Sequence, residues 1–501
     1  VETIRRNMMN YLNNIDVRTV KVLEQSEFPS KSQPKNKLIE NAEELIRGLG
    51  LKDNAVVSFH HHLRNGDKVL NTIMKEIQRT GVKGLTLVAS SLFPVHAEII
   101  PLLQDGTIEN IVTSYISGDL AKAISYGELK GNIIMQTHGG RARSILNGEI
   151  EIDVAFIASP SADKYGNISG VNGPNSCGTL GYVIADSIKA KTVVSVTDCL
   201  VDYPNYPADI TEDYVDYVLL IDSIGRKEGI VSGTTKVTKD PIGLKIAKDT
   251  LKVMEATGLL KDGLSYQSGA GGISLAVTAF LRDYMIENNI KGSFASGGIT
   301  GYLTNMLEEG LFSSLFDVQC FDLEAIESLK RNPNHIRMSA SQYGNSEVSA
   351  VVDNLDIVIL GATEIDTNFN VNVTTGADGV LMGGSGGHAD TAAGSKVSII
   401  VSKLFSSRIP LIKDRVDVIT TPGTTVDVLV TERGICVNPL RTDLIEAFKK
   451  AKLDIIDIKD LKAYSESIMG KPEPIEKTDR IIGLSQYRDG RIIDYIYQVK
   501  K

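Results

Sequence analysis

The sequence predicts an α/β fold built from two tandem, homologous halves. Three observations predict it. The chain has 501 residues, more than one ordinary domain accommodates. Short motifs recur in the same order in its first and second parts, at an offset of about 205 residues. Glycine-rich turns also stand between apolar runs of strand length and runs with helical periodicity.

The repeat opens at Leu51-Lys52-Asp53 and again at Leu260-Lys261-Asp262. After the first comes the strand pattern Ala55 to Phe59, the turn His60 to Asp67, and a helix with Leu70, Ile73, Met74 and Ile77 on one face. After the second come Leu264 to Gln267, the turn Ser268-Gly269-Ala270-Gly271-Gly272, and a helix with Ile273, Ala276, Val277 and Phe280 at the same spacing. Val82-Lys83-Gly84 matches Ile290-Lys291-Gly292, and Leu103 to Gly106 matches Leu307 to Gly310. The apolar run Asp153 to Ile157 matches Asp356 to Leu360. Each leads to an Asp with a later Asn, Asp163 and Asn167 against Asp366 and Asn370. Ala185-Asp186 before Thr192–Val196 matches Ala389-Asp390 before Val397–Val401, and Val215–Val218 matches Val426–Leu429. Apolar stretches such as Val416–Ile419 read as strands of sheets covered on both faces.

The expected organisation is a helical arm over 1–44, an α/β domain over 45–240, a second over 255–445, and an extension over 446–501 packed on the second domain. A helix from Leu244 to Thr257, ended by Gly258, fills the junction. Pro472 and Pro474 mark a loop before a closing strand near Ile492–Val499.

Hydrophobic residues make up 42% and charged residues 23%, the balance of a globular protein. No apolar run is long enough for a bilayer, and the polar start has no signal-peptide core. Cys177, Cys199, Cys320 and Cys436 are scattered, with no CxxC pair. That suits a reducing cytoplasm and argues against a disulfide framework or a metal site. A net charge of -9 argues against nucleic-acid binding, so an anionic substrate would need local cations.

Two glycine loops could supply backbone donors to a developing oxyanion or to a phosphate. Gly269, Gly271 and Gly272 form one; Gly383, Gly384, Gly386 and Gly387, followed by His388, form the other. The plain alternative is tight packing of strand on helix. A dinucleotide reading of Gly384, Gly386 and Ala389 fails because the next strand ends in Lys403-Leu404 rather than an acid. Two clusters could hold the anion: His60-His61-His62 with Arg64, and His138 with Arg141 and Arg143. Alternation puts His60 and His62 on one face and His61 on the other, and no third metal ligand lies nearby.

These segments resemble the citrate lyase alpha chain over nearly the whole length. The resemblance rests on Ser58-Phe59-His60-His61, His138-Gly139-Gly140-Arg141, Asp153 to Phe156 and Arg331 to Ile336. It also rests on Glu364 to Val373, Gly386 to Thr391, Tyr487 to Gly490 and Gln498 to Lys500. More broadly, the halves resemble the paired domains of coenzyme A transferases, of the NagB/RpiA type. The resemblance implies exchange of the acetyl group on an acyl carrier, or on coenzyme A, for citrate. A citryl thioester and acetate result, by way of an acetyl-citryl anhydride. It also implies a beta subunit that cleaves the citryl thioester, a gamma carrier subunit bearing a phosphoribosyl-dephospho-coenzyme A arm, no cofactor attached to this chain, and an oligomer.

Many coenzyme A transferases use a glutamate nucleophile after the second strand of the second domain. Here that place reads Asp317 to Asp322, without a glutamate. Asp322 is the nearest acid and is expected to position or polarise. Glu364, just after an apolar run, is a second candidate. Oxyanion stabilisation falls to Gly269, Gly271 and Gly272, and the pantetheine arm to Gly384, Gly386, Gly387 and His388. Citrate binding falls to His60, His61, Arg64, His138 and Arg141. Two other readings stand beside this one: a free short-chain acyl-coenzyme A transferase or hydrolase, and a noncatalytic scaffold subunit.

Overall fold

The apolar runs of the first half lie side by side as β1 (Val56–Phe59), β2 (Leu85–Ala89), β3 (Ile108–Thr113), β4 (Ile133–Met135), β5 (Val154–Ser159), β6 (Thr192–Thr197) and β7 (Tyr217–Leu220). They are parallel, in the order β4-β3-β2-β1-β5-β6-β7. The second half forms β8 (Ser265–Ser268), β9 (Gly292–Ile299), β10 (Phe312–Cys320), β11 (His335–Arg337), β12 (Ile357–Leu360), β13 (Val397–Val401) and β14 (Val428–Thr431). Their order is β11-β10-β9-β8-β12-β13-β14, again parallel. The two sheets therefore share one winding. This computed structural model describes residues 24–27, 33–231, 236–406 and 409–501. Most of the expected helical arm lies outside them; within it Gln25–Glu27 is a 3-10 turn.

Helices cover the sheets where the sequence shows a 3.6-residue stripe. In α1 (Val69–Arg79) Leu70, Ile73, Met74 and Ile77 are fully buried. The junction helix α2 (Pro241–Ala256) starts one turn before the expected stretch, with Asp240 accepting from the Gly243 amide at 2.8 Å. In α3 (Gly272–Glu287) the buried side is Leu275, Ala276, Val277, Leu281 and Met285. One hydrophobic core runs through both sheets, and residues 37–501 form one unit. No helix among the described residues is long and apolar enough to cross a membrane.

The repeated polar residues hold equivalent places. Asp153 accepts from the Val56 amide at 2.8 Å, and Asp356 from that of Ser265 at 2.9 Å. Asp53 holds the Lys83 amide as Asp262 holds that of Lys291. Asp163 gathers the amides of Gly166 and Asn167 and the Asn167 carboxamide. Asp366 gathers those of Asn368 and Asn370 and the Asn370 carboxamide. Each buried carboxylate thus satisfies a turn that a sheet alone would leave unpaired.

Three expectations need correction. Residues 38–44 are not an arm: Leu38–Ile39 pairs with β7, and the next helix starts at Ala42 behind its Asn41 cap. Val416–Ile419 is not a strand. Val416 and Val418 are buried, but Asp417 between them turns out to Thr375 and Lys477, so the run has no ladder partner. The C-terminal extension does not pack wholly on the second half. Its hairpin, β15 (Lys477–Gln486) and β16 (Ile492–Val499), extends the first sheet through β15 beside β4. The exposed amides of β4 offered the free edge that the hairpin covers.

Candidate functional site

A cleft of about 460 Å³ opens between the two sheets, at the C-terminal ends of strands from both. Open α/β sheets bind ligands at this end because the loops leaving the strands carry free backbone donors there. Tyr115, His138 and Tyr182 come from the first half. The loops after β8, β10 and β12 supply Ser268 to Gly271, Phe321 and Gly361 to Thr363, and Gly384 to His388 closes the wall. A second cavity of about 590 Å³ adjoins it, sharing Gly271, Ser274, Gly361, Ala362 and Thr363 and reaching out to Lys403.

The first glycine loop faces open space. A Cβ at Gly269 would meet nothing nearer than the Ile359 carbonyl at 3.6 Å, and one at Gly271 nothing nearer than the Ser274 hydroxyl at 4.0 Å. Gly271 caps α3 and lines both the cleft and the adjoining cavity, so the helix N-terminus opens where the two meet. Gly272 belongs to the adjoining cavity. The second loop also lines the cleft, but close contacts fix its glycines, with the first half at Gly384 and Gly386 and within the second half at Gly387. A Cβ on Gly384 would sit 2.3 Å from the Ser114 carbonyl, and one on Gly387 2.1 Å from the Tyr343 hydroxyl. The His138 amide donates to the Gly386 carbonyl at 2.8 Å. His388 uses both ring nitrogens within the protein. Nε2 faces the Gly361 carbonyl at 2.9 Å and so carries the proton, leaving Nδ1 to accept from the Thr421 hydroxyl at 2.7 Å. It therefore sets the cleft loop rather than meeting a ligand.

The two candidate arginines differ. Arg141 is fully buried and makes a bidentate pair with Asp186, at 2.7 and 2.9 Å, with Ser58 at 3.0 Å beside it. It is a packing element and is not available to citrate. Arg64 has no carboxylate partner among the described residues. Its guanidinium lies 4.8 Å from the centre of the Phe321 ring and 5.4 Å from that of Phe93, with Tyr115 and Tyr182 close by. Its Nη1 is buried without a hydrogen-bond acceptor, and desolvation lowers its pKa. A desolvated cation held only by aromatic faces lacks a counter-charge.

The histidines split similarly. His60 and His61 do not line the cleft. His60 accepts from the Ala158 amide at 2.8 Å and meets His62 at 2.6 Å, while His61 meets Ser90 at 2.6 Å and stacks 4.6 Å from Tyr182. The expected alternation does not hold, because the strand ends at Phe59: His61 stacks 6.0 Å from His62, and both rings pack on Tyr182. His138 does line the cleft, and its Nδ1 has no partner.

Burial drives every one of these pKa values down: to about 4 for His60 and His388, to about 3 for His138, and well below 6.5 for His61 and His62. Between pH 6.5 and about 4 the unfolded chain therefore binds protons that the folded chain refuses. The stability present above pH 6.5 falls as pH falls, by up to roughly 1.4 kcal/mol per imidazole per pH unit. Urea unfolding at pH 7 and pH 5 should show a much lower midpoint at pH 5.

Neither candidate acid faces the cleft. Asp322 caps the helix Leu323–Arg331, accepting from the Ala325 amide at 2.9 Å and from that of Gly301 at 2.7 Å. Asp322→Ala should cost about 1–2 kcal/mol in unfolding measurements, the value of a cap, and spare turnover. Glu364 lines the adjoining cavity, its carboxylate accepting from Asn372 at 3.0 Å and the Asp417 amide at 3.1 Å. Among the described residues that line the cleft there is no Asp and no Glu. Sequence reasoning missed Tyr115, Tyr182, Gln267 and Tyr343. Three of them lie far from the glycine loops in the chain, while Gln267 directly precedes the first loop and was read only as the end of a strand.

Comparison with known proteins bears on this site. The model of the citrate lyase alpha subunit family matches residues 35–499. The chain belongs to that family. It is 47% identical over 466 residues to the citrate lyase alpha chain of Escherichia coli, covering 93% of this chain and 91% of that one. A Streptococcus mutans chain assigned as the alpha subunit of citrate lyase, solved in complex with citrate, superposes with a TM-score of 0.91 at 44% identity. That match covers 96% of this chain and 93% of the other. The fold is shared more widely. A 4-hydroxybutyrate CoA-transferase of Porphyromonas gingivalis aligns with a TM-score of 0.54 at 17% identity, over 86% of this chain and 97% of its own. As a citrate lyase alpha subunit, this chain is the coenzyme A transferase component of that enzyme.

Proposed function

We propose that this cleft exchanges an acetyl thioester for a citryl thioester by direct attack of citrate, with no enzyme-bound acyl group. A citrate carboxylate oxygen attacks the acetyl carbonyl carbon, and the carbon–sulfur bond breaks to release the carrier thiolate. The product is an acetyl-citryl anhydride. The thiolate then attacks the citryl carbonyl, and acetate leaves with the bridging oxygen. No proton changes hands, which suits the neutral imidazole of His138 in the cleft wall. The observation that carries this reading is the charge beside the site: the uncompensated guanidinium of Arg64, which is not itself a lining residue, packs on Phe321 of a cleft wall without acids. Arg64 and His138 hold citrate. The open amides around Gly269 and Gly271 face the oxyanion. The adjoining cavity, ending at Lys403, takes the pantetheine arm of coenzyme A or of the gamma subunit's phosphoribosyl-dephospho-coenzyme A. A beta subunit cleaves the citryl product, and the scattered thiols suit the cytoplasm. The shared strand order and paired Asp anchors support descent of the two halves from one duplicated domain.

Tyr343 completes the oxyanion site in this scheme. Gln267 donates to its hydroxyl oxygen at 2.8 Å, and Ser296 fixes the far side of that carboxamide at 2.9 Å. The Tyr343 proton is thereby left without an acceptor among the described residues and free for the thioester oxygen. Tyr343→Phe should lower kcat on the order of a hundredfold with little change in the KM for citrate, read from acetate release.

Acetyl-coenzyme A and citrate, with no partner chain, should yield acetate and a citryl thioester. Turnover of succinate or butyrate but not citrate would instead indicate a free acyl-coenzyme A transferase, and no turnover of any thioester a scaffold.

A further inference from the structure

We propose that Asp317, Cys320 and His335 form a buried site for a divalent transition metal, with zinc as the best chemical match. The scattered cysteines, with no CxxC pair, predict no zinc site, but β10 and β11 bring these three residues together. Asp317 and Cys320 stand on β10 and His335 on the adjoining edge strand β11. All three are fully enclosed, and their donor atoms lie within 4.8 Å of one another. The Cys320 sulfur is 3.0 Å, and the His335 Nε2 3.4 Å, from one Asp317 oxygen. Bonds of about 2.0–2.3 Å at tetrahedral angles put donor pairs roughly 3.2–3.7 Å apart, so small movements close the shell.

The polar bookkeeping of this spot is incomplete in a specific way. The Asp317 carboxylate has no lysine or arginine partner among the described residues. Its second oxygen, and Nε2 of His335, are buried without hydrogen-bond partners. The other imidazole nitrogen of His335 is held by Ser328 at 3.1 Å, which fixes the ring with Nε2 toward the carboxylate. Such an outer partner commonly orients a metal-bound imidazole. Thr179, from the first half, meets the same carboxylate at 2.9 Å. A mixed oxygen, sulfur and nitrogen set selects zinc, cobalt or iron over magnesium or calcium. Binding releases the thiol proton to solvent and leaves the sulfur as a thiolate on the metal. The metal would tie β11 to β10 and both to the Thr179 segment, beside Val318 and Phe321 of the cleft wall.

The test uses the full chain, stripped by chelator and then loaded with zinc or cobalt. Metal analysis after desalting should find one metal per chain, and the cobalt form should show a thiolate charge-transfer absorption. Cys320→Ser should abolish that absorption and weaken metal retention by roughly tenfold or more. No retained metal and no absorption in the wild-type chain would overturn the proposal and leave a hydrogen-bonded Asp-His-Cys cluster only. An absorption unchanged in Cys320→Ser would overturn it too, by placing the metal elsewhere. Should that variant not fold, absence or presence of the wild-type cobalt–thiolate absorption still decides.

Discussion

Replacing Arg64 by methionine should cut kcat/KM for citrate by roughly 10²–10³-fold, while the chain unfolds at the same or higher denaturant concentration. The two effects have one cause. Arg64 stands desolvated against Phe93 and Phe321, with no carboxylate to answer its charge. An uncompensated charge of this kind costs stability, so an apolar side chain of similar length relieves the fold. The same charge, met by a citrate carboxylate, contributes a desolvated pair whose loss costs about 3–5 kcal/mol, and about 1.4 kcal/mol corresponds to a factor of ten. Initial rates across citrate concentration, beside urea unfolding, read both. A large loss of stability with normal citrate affinity would make Arg64 a packing residue.

Arg141→Met should do the reverse. It leaves the Asp186 carboxylate, wholly enclosed, without the guanidinium that meets it at 2.7 and 2.9 Å. Breaking a buried pair by removing one partner typically costs about 3–5 kcal/mol. The ring of groups around it, Ser58 and the Tyr182 carbonyl, ties β1 to the cleft wall, so the loss should appear as a large fall in the urea midpoint. Activity at low temperature, where the variant remains folded, should retain its KM for citrate. The two variants together separate an arginine that serves the fold from one that serves the site.

Much of the fold was legible because similar motifs stand in the same order in both halves. Paired motifs such as Asp163 with Asn167 and Asp366 with Asn370 read as equivalent turns, and they hold equivalent hydrogen bonds. Helical periodicity placed α1 correctly, and a short apolar run in the repeated motif order placed β13, which is buried on both faces. Neither signal placed the C-terminal hairpin, since nothing in residues 477–499 says which sheet edge is free. The site was less legible. Arg64 and Arg141 look alike in sequence, and only the position of Asp186 distinguishes them. Asp322 was the nearest acid along the chain, yet its backbone conformation makes it a helix cap. Tyr343 and Gln267 meet across 76 residues, a separation at which sequence carries no geometric signal.

The most direct test of the central claim follows oxygen through a single turnover. Enzyme in excess over acetyl-coenzyme A is mixed with citrate whose carboxylates carry a heavy oxygen isotope, and the first acetate released is weighed. Direct attack by citrate hands the bridging oxygen to that acetate, so it should carry one heavy atom. Unlabelled acetate in the first turnover would mean that an oxygen of the enzyme attacked first, and would contradict the account.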